Sequence, residues 1–391
     1  MSATSMSPWA AFRAETPVAK NWAYFDHAAV APLSGRAQQA ILAWAEEYAA
    51  NGDAHSTKLS REVERIRELG ARLLGAPKEE VAHVANTTAG INLVAEGYPW
   101  RSGDNVVFPA NEFPSNQYPW MNLAARGVVA RRVECPDGRI DWDKMAEACD
   151  NRTRIIALSW VGYSTGYRVD LDEAVQFAHE RGAHLFVDAI QGLGVFPLDV
   201  ERTPIDFLAA DGHKWLLGPE GAGLFYLRRE HLDLLRPINL GWHSVAHSSD
   251  YTRIELNLRA SAARYEGGTW NMPGILGLGG SLELLLEHGA SAIGARILQV
   301  TDQICERLTR LGATIASDRN PRHASGIISF TLPGVDPNTV RRQCLDRGVV
   351  LNNRAGKIRV SAHAYNDEAD AERLIASLTT DERSSSLKTE I

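Results

Sequence analysis

The 391-residue chain has no excess of basic charge. Its 41 Lys and Arg stand against 48 Asp and Glu, a formal net charge of −7. Polyanion binders carry a positive footprint, so neither nucleic acid nor an anionic membrane is expected as a main partner. Cysteine is scarce, with four residues at 135, 149, 305 and 344 and no CxxC pair. That argues against a disulfide framework and a Cys-based metal site, and a reducing, cytoplasmic location is expected. No stretch reaches 18 consecutive apolar residues, so no membrane-spanning helix is expected. Residues 1–25 hold no long apolar segment of the signal-peptide kind. There is no internal repeat.

What is present is an alternation of short apolar runs and longer amphipathic segments. VAHVAN (81–86), NVVFPA (105–110), RIIALSWV (154–161), HLFVDA (184–189), DFLAAD (206–211) and GLFYLR (223–228) are rich in β-branched and aromatic residues. They are bounded by Gly, Pro, Asn or Asp, which predicts strands. Helical patterns lie between most of them, over 60–74, 88–96, 117–126, 141–149 and 172–181. Strands that are almost wholly apolar are buried on both faces, so an α/β fold with a mostly parallel sheet is expected. After about residue 270 the order changes to a long helical stretch over 276–311, broken at His288-Gly289, then short strands and helices. This predicts an N-terminal arm over 1–25, a large domain over 26–270, a smaller α+β domain over 271–380 and a disordered tail over 381–391.

The chemistry concentrates between residues 184 and 223. HLFVD ends a buried-type strand at Asp188, and the carboxyl ends of parallel strands are where ligands sit. Lys214 follows 26 residues later in Gly-His-Lys-Trp, after a second apolar strand and before the glycine-rich LLGPEGAG. An unpaired ammonium is costly to bury, so a lysine here points to a Schiff base with a carbonyl cofactor. A lysine for an aldehyde and an acid for a pyridine nitrogen fit pyridoxal phosphate (PLP). Its phosphate needs N–H donors at a helix N-terminus. Asn86-Thr87-Thr88, between a strand and a helical pattern, provides such a place, although the same residues also serve as a plain helix cap.

Asp188-Ala-Ile-Gln191-Gly, followed by Asp211-Gly-His213-Lys214-Trp-Leu-Leu-Gly-Pro-Glu-Gly-Ala-Gly, resembles the class V aminotransferase family. Cysteine desulfurases, selenocysteine lyases, kynureninases and isopenicillin N epimerases are among its relatives. The likeness runs from Tyr24-Phe-Asp-His27-Ala-Ala29 to Arg359-Val-Ser-Ala-His-Ala-Tyr-Asn. It implies the fold-type-I architecture of PLP enzymes, a PLP cofactor and a homodimer acting on an amino acid. Lys214 would carry the cofactor and Asp188 would pair with its ring nitrogen. Gln191 would donate to the phenolic oxygen. Thr87, Thr88 and His213 would hold the phosphate, with Asp211 where some relatives have a Ser donor. Thr269 would reach the phosphate of the neighbouring subunit. His27, Ala29 and Arg359 would meet the substrate, Arg359 by clamping its α-carboxylate.

Two departures from the desulfurase pattern shape the expected reaction. Phe113 stands where desulfurases have a His on the cofactor face, and Tyr163 replaces an Asn-like residue near the ring oxygen. The loop 345–358 holds no Cys, and Cys344 belongs to a preceding helix. The expected function is therefore Cα chemistry on an amino acid, transamination first. C–S lyase and epimerase activities are the alternatives on the same residues. A remote alternative is a serine hydrolase, because Gly162-Tyr-Ser164-Thr-Gly166 matches the nucleophile elbow.

Overall fold

The computed structural model describes residues 7–379, so the tail expected over 381–391 lies outside the described residues. Seven strands form one sheet in the order Val81–Val84, Gly223–Leu227, Phe207–Asp211, His184–Asp188, Thr153–Ser159, Asn105–Pro109 and Val129–Val133. Neighbours run parallel, except that Gly223–Leu227 is antiparallel to the strands on both its sides. Alternate residues feed two cores. Val107, Ile156, Leu158, Leu185, Val187 and Leu208 pack on one face with Ile66, Leu278 and Leu282 from helices. Val106, Phe108, Ile155, Ala157, Phe186 and Phe207 pack on the other with Ile91 and Leu93. A strand covered on both sides has no polar face, which is why these runs read as unbroken apolar stretches. Each large side chain so buried is worth roughly 1.5–3 kcal/mol.

In the large sheet and the helices that cover it, two elements were not signalled by the sequence. Val129–Val133 is an edge strand, paired on one side only, and its central Arg131 and Arg132 hide its strand character. The helix Gly35–Asn51 is rich in Ala and has only one buried residue, Ala37, so it shows no apolar stripe.

A second, antiparallel sheet has the order Asn352–Arg354, Lys357–Ser361, Ile327–Thr331 and Thr314–Ile315. It shares a core with Val300, Ile304 and Leu308 of the helix Ala290–Arg310 and with Leu374 of the helix Glu368–Leu378. The long helical stretch does break where expected: Gly289, at φ 79°, separates Met272–His288 from Ala290–Arg310. Met272–His288 lies against Gly35–Asn51 and Ser56–Leu74, in the layer that covers the large sheet. The N-terminal segment is tied to the second sheet's side of the molecule. Ala23–Tyr24 pairs with Val349–Val350, and Arg13 forms ion pairs with Asp367 and Asp370. Among the described residues no helix is long and apolar enough to cross a membrane.

Candidate active site

The strands His184–Asp188 and Phe207–Asp211 each end in an aspartate, and both aspartates line a cavity of about 260 Å³ at the carboxyl edge of the sheet. Lys214 reaches the same cavity from the turn that follows the second strand. That turn is closed by Leu217 N–H donating to the Lys214 carbonyl at 3.0 Å. Leu217 is fully buried and held at φ 54°, a left-handed conformation that costs a non-glycine residue roughly 1–2 kcal/mol. Its carbonyl is gripped by Ser34 N–H and the Ser281 hydroxyl, which fix the turn from outside.

Burial sets the charge states. Lys214 is pulled down to about 8, chiefly because the ammonium is desolvated, with Asp188 opposing and Arg359 adding to the shift. Asp188 is pushed up to about 6 by its own burial, against the Ile190 N–H it accepts and the attraction of Lys214. An acid and an amine are thus both poised close to neutrality in one enclosed space.

On the opposite wall, Asn86 caps the helix Thr87–Gly97 by accepting from Ala89 N–H at 2.8 Å. The first turn of this helix opens on the cavity with Asn86, Thr87 and Thr88, an arrangement suited to an anion. Gly90 allows the helix to lie this close to the sheet, since a Cβ there would come within 2.5 Å of the Ala209 Cβ. The Thr88 hydroxyl donates to Ser115 Oγ at 2.9 Å, and Thr87 Oγ1 accepts from Asp211 N–H at 3.0 Å. Asp211 is itself engaged: Oδ1 accepts from Gly212 N–H at 2.7 Å. Its Oδ2 stands 2.9 Å from His213 Nδ1, out of alignment for a hydrogen bond.

Phe113 and Tyr163 meet edge to face, with ring centroids 5.3 Å apart, and the Phe113 ring centre lies 5.5 Å from Lys214 Nζ. The Phe113 loop is anchored by the neighbouring Glu112, which is buried and accepts from Ser159 N–H, the Ser159 hydroxyl and Asn116 Nδ2. Burial outweighs these donors and pushes Glu112 up to about 7.

Arg359 lines the cavity although it is only 1% exposed. Its Nη1 donates to the Tyr163 carbonyl at 2.8 Å and its Nη2 to Asp26 Oδ1 at 3.2 Å, while Nε has no partner. Asp26, Ser115 and Arg354 belong to the site without having been picked out in the sequence. Asp26 sits beside the His27 of the resemblance motif, which was its only signal; Arg354, in Leu-Asn-Asn-Arg-Ala-Gly, had none.

The cavity gathers Ala29, Thr87, Thr88, Phe113, Tyr163, Asp188, Asp211, His213, Lys214 and Arg359. Gln191 and His27 are not among its lining residues. The Gln191 amide donates to the Ala28 carbonyl at 2.9 Å and accepts from the Trp215 indole at 2.7 Å. His27 is buried between the Ser361 carbonyl and the Tyr365 hydroxyl. Thr269 lines a separate cavity of about 450 Å³ beside Glu266 and Trp270. Ser164 lies in a turn, not at the start of a helix. Gly166 follows at φ 75°, Val161 bridges back to Arg168, and the next helix begins at Leu171. A nucleophile elbow needs its helix immediately after the serine.

The donor set fits PLP. A buried amine close to neutrality suits an aldehyde, a buried acid suits a pyridine nitrogen, a helix N-terminus suits a phosphate, and an aromatic side chain stands at the cavity wall. Comparisons with known proteins agree. Residues 23–374 match the family model described as Aminotransferase class-V. A probable cysteine desulfurase from Methanothermobacter thermautotrophicus is 30% identical over 384 residues, covering 93% of this chain and 95% of the relative. The apo structure of a cysteine desulfurase from Thermococcus onnurineus superposes with a TM-score of 0.84 at 26% identity, over 96% of this chain and 98% of that one. A C-DES mutant with glycine covalently linked to its PLP cofactor gives 0.87 at 24% identity, over 93% and 98%, a likeness of fold. The chain belongs to the class V aminotransferase family, with the fold-type-I architecture and PLP as its cofactor.

Proposed function

We propose that this enzyme is a C–S lyase, cleaving the Cβ–S bond of a cysteine-like amino acid without a persulfide on the protein. The relatives named cysteine desulfurase support the C–S alternative over the transamination expected first. One observation carries the direct route: among the described residues, no cysteine lines the cavity that holds Lys214 and Arg359. Cys135, Cys305 and Cys344 are buried, and Cys149 is partly so. Burial raises the Cys344 thiol to about 11, far from a reactive thiolate.

When bound at Lys214, PLP supplies a carbonyl for the substrate amine and a ring that accepts the electron pair left on Cα. The remaining roles fall to the chain. Arg359 holds the substrate α-carboxylate. Lys214 Nζ, a fair fraction of which is uncharged near neutral pH, takes the Cα proton. Asp188 keeps the ring nitrogen protonated. Phe113 lines the cavity but donates no proton to a leaving group. That absence favours a substituent able to depart as an anion. A thiol, with an ordinary pKa near 8.5, does so far more readily than an alcohol. With L-cysteine and one water, the products are pyruvate, ammonium and hydrogen sulfide. With L-cystine, cysteine persulfide takes the place of the sulfide.

The proposal includes a twofold dimer, because Thr269 lies in a motif whose relatives serve the neighbouring subunit and closed twofold symmetry is the commonest oligomer. The function is tested by incubating the holoenzyme and its Cys344→Ser variant with L-cysteine and with L-cystine. Pyruvate and released sulfur in equal amounts from both proteins are expected. Alanine with a protein-bound persulfide would overturn the direct route. Keto acid released only in step with amination of an added acceptor would restore transamination.

A further inference from the structure

The active cavity contains a second guanidinium with no work in the reaction above. Arg354 ends the strand Asn352–Arg354 and lines the cavity with Arg359 and Lys214. The hairpin that presents it is tight: Arg354 pairs with Lys357 across Ala355, at φ 49°, and Gly356, at φ 72°.

The two arginines differ in how their charge is met. Arg359 faces the Asp26 carboxylate. Arg354 Nη1 donates only to neutral oxygens, Asn352 Oδ1 at 2.9 Å and the Asn353 carbonyl at 2.7 Å. Among the described residues it has no ion-pair partner. The acids that line the cavity are taken elsewhere, Asp188 by the field of Lys214 and Asp211 by Gly212 N–H and the neighbouring His213.

A hydrogen-bond relay fixes the spacing of the pair. Arg359 Nη2 donates to Asp26 Oδ1, Asn352 Nδ2 donates to Asp26 Oδ2 at 2.8 Å, and Arg354 Nη1 donates to Asn352 Oδ1. One guanidinium cannot drift relative to the other without breaking this chain. Arg354 is therefore held on the Arg359 side of the cavity, within the field of Asp26 but with no carboxylate in contact among the described residues.

We propose that Arg354 is a subsite for a second anionic group, so that the preferred substrate carries a carboxylate at the far end of its side chain as well as at Cα. This deepens the proposed function and rests on it: the lyase substrate becomes a cysteine whose sulfur bears an acidic substituent. A planar guanidinium can take a carboxylate by two parallel hydrogen bonds, which gives both affinity and direction.

The test uses two amino acids that have no C–S bond, so binding is read independently of cleavage. L-2-Aminoadipate and L-norleucine have side chains of similar length, one ending in a carboxylate and the other in a methyl group. Their binding to the holoenzyme is measured by calorimetry and by the change in cofactor absorbance, for the wild type and for Arg354→Gln. The wild type is expected to bind aminoadipate about 10–100-fold more tightly than norleucine, the worth of one charge-assisted hydrogen bond. Arg354→Gln is expected to abolish that preference by weakening aminoadipate alone, with norleucine unchanged and the melting temperature preserved. Equal affinities in the wild type, or a preference that survives in Arg354→Gln, would overturn the inference. If the preference holds while S-carboxymethyl-L-cysteine yields no pyruvate, it is the lyase reading that fails and the anion subsite that stands.

Discussion

The Arg359–Asp26 pair offers the sharpest test of how the substrate end of the cavity is held. At 3.2 Å, and with an effective dielectric of about 20, the bare attraction is about 5 kcal/mol. Desolvation works against it. Asp26 lies above the ordinary carboxylate range because burial outweighs the pull of Arg359, and Arg359 lies below its own range because burial outweighs the pull of Asp26. Each partner is costly to keep charged, and each is tolerable only because the other is there. Asp26→Asn should therefore destabilise the protein by about 3–5 kcal/mol, since it strands a guanidinium that is 1% exposed. Arg359→Met should cost a similar amount by stranding the carboxylate. The double variant should recover most of either loss, because no buried charge is then left unmatched. The assay is urea unfolding at neutral pH of the wild type, both single variants and the double variant, comparing midpoints and slopes. Losses that simply add in the double variant would refute the reasoning, and so would an Asp26→Asn protein as stable as the wild type.

Further outcomes follow from the site and the proposed assembly. Only the uncharged Lys214 amine captures an aldehyde, and this lysine titrates at about 8. Covalent uptake of PLP by the apoprotein should rise about tenfold per pH unit below pH 8 and level off above it. Asp188 raises the Lys214 pKa, so Asp188→Asn should move the midpoint to lower pH; a midpoint near 10.5, or a pyridoxyl group still found on one lysine of Lys214→Ala after borohydride reduction, would contradict the assignment. Sedimentation equilibrium should show a dimer at working concentration, and a fully active monomer would overturn that part of the proposal.

The sheet was legible because a strand buried on both faces must be apolar throughout, as Ile155–Ile156–Ala157–Leu158 and Leu185–Phe186–Val187 are. Lys214 and Asp188 were legible for the opposite reason, as ionisable groups at the ends of apolar runs where burial has to be justified by chemistry. Val129–Val133 escaped because one of its edges is unpaired and arginines are tolerated there. The substrate end escaped for a deeper reason. Asp26 and Arg359 are 333 residues apart in the chain, and Tyr163 meets Arg359 across 196. No local pattern can announce a hydrogen bond that exists only once the N-terminal segment, the large sheet and the second sheet have come together. The sequence by itself determined which side chains had to be buried and which charged groups would be costly there. The tertiary structure decided which of those charges meet, that Gln191 and His27 spend their polar atoms outside the cavity, and that Arg354 is left within it with no carboxylate in contact among the described residues.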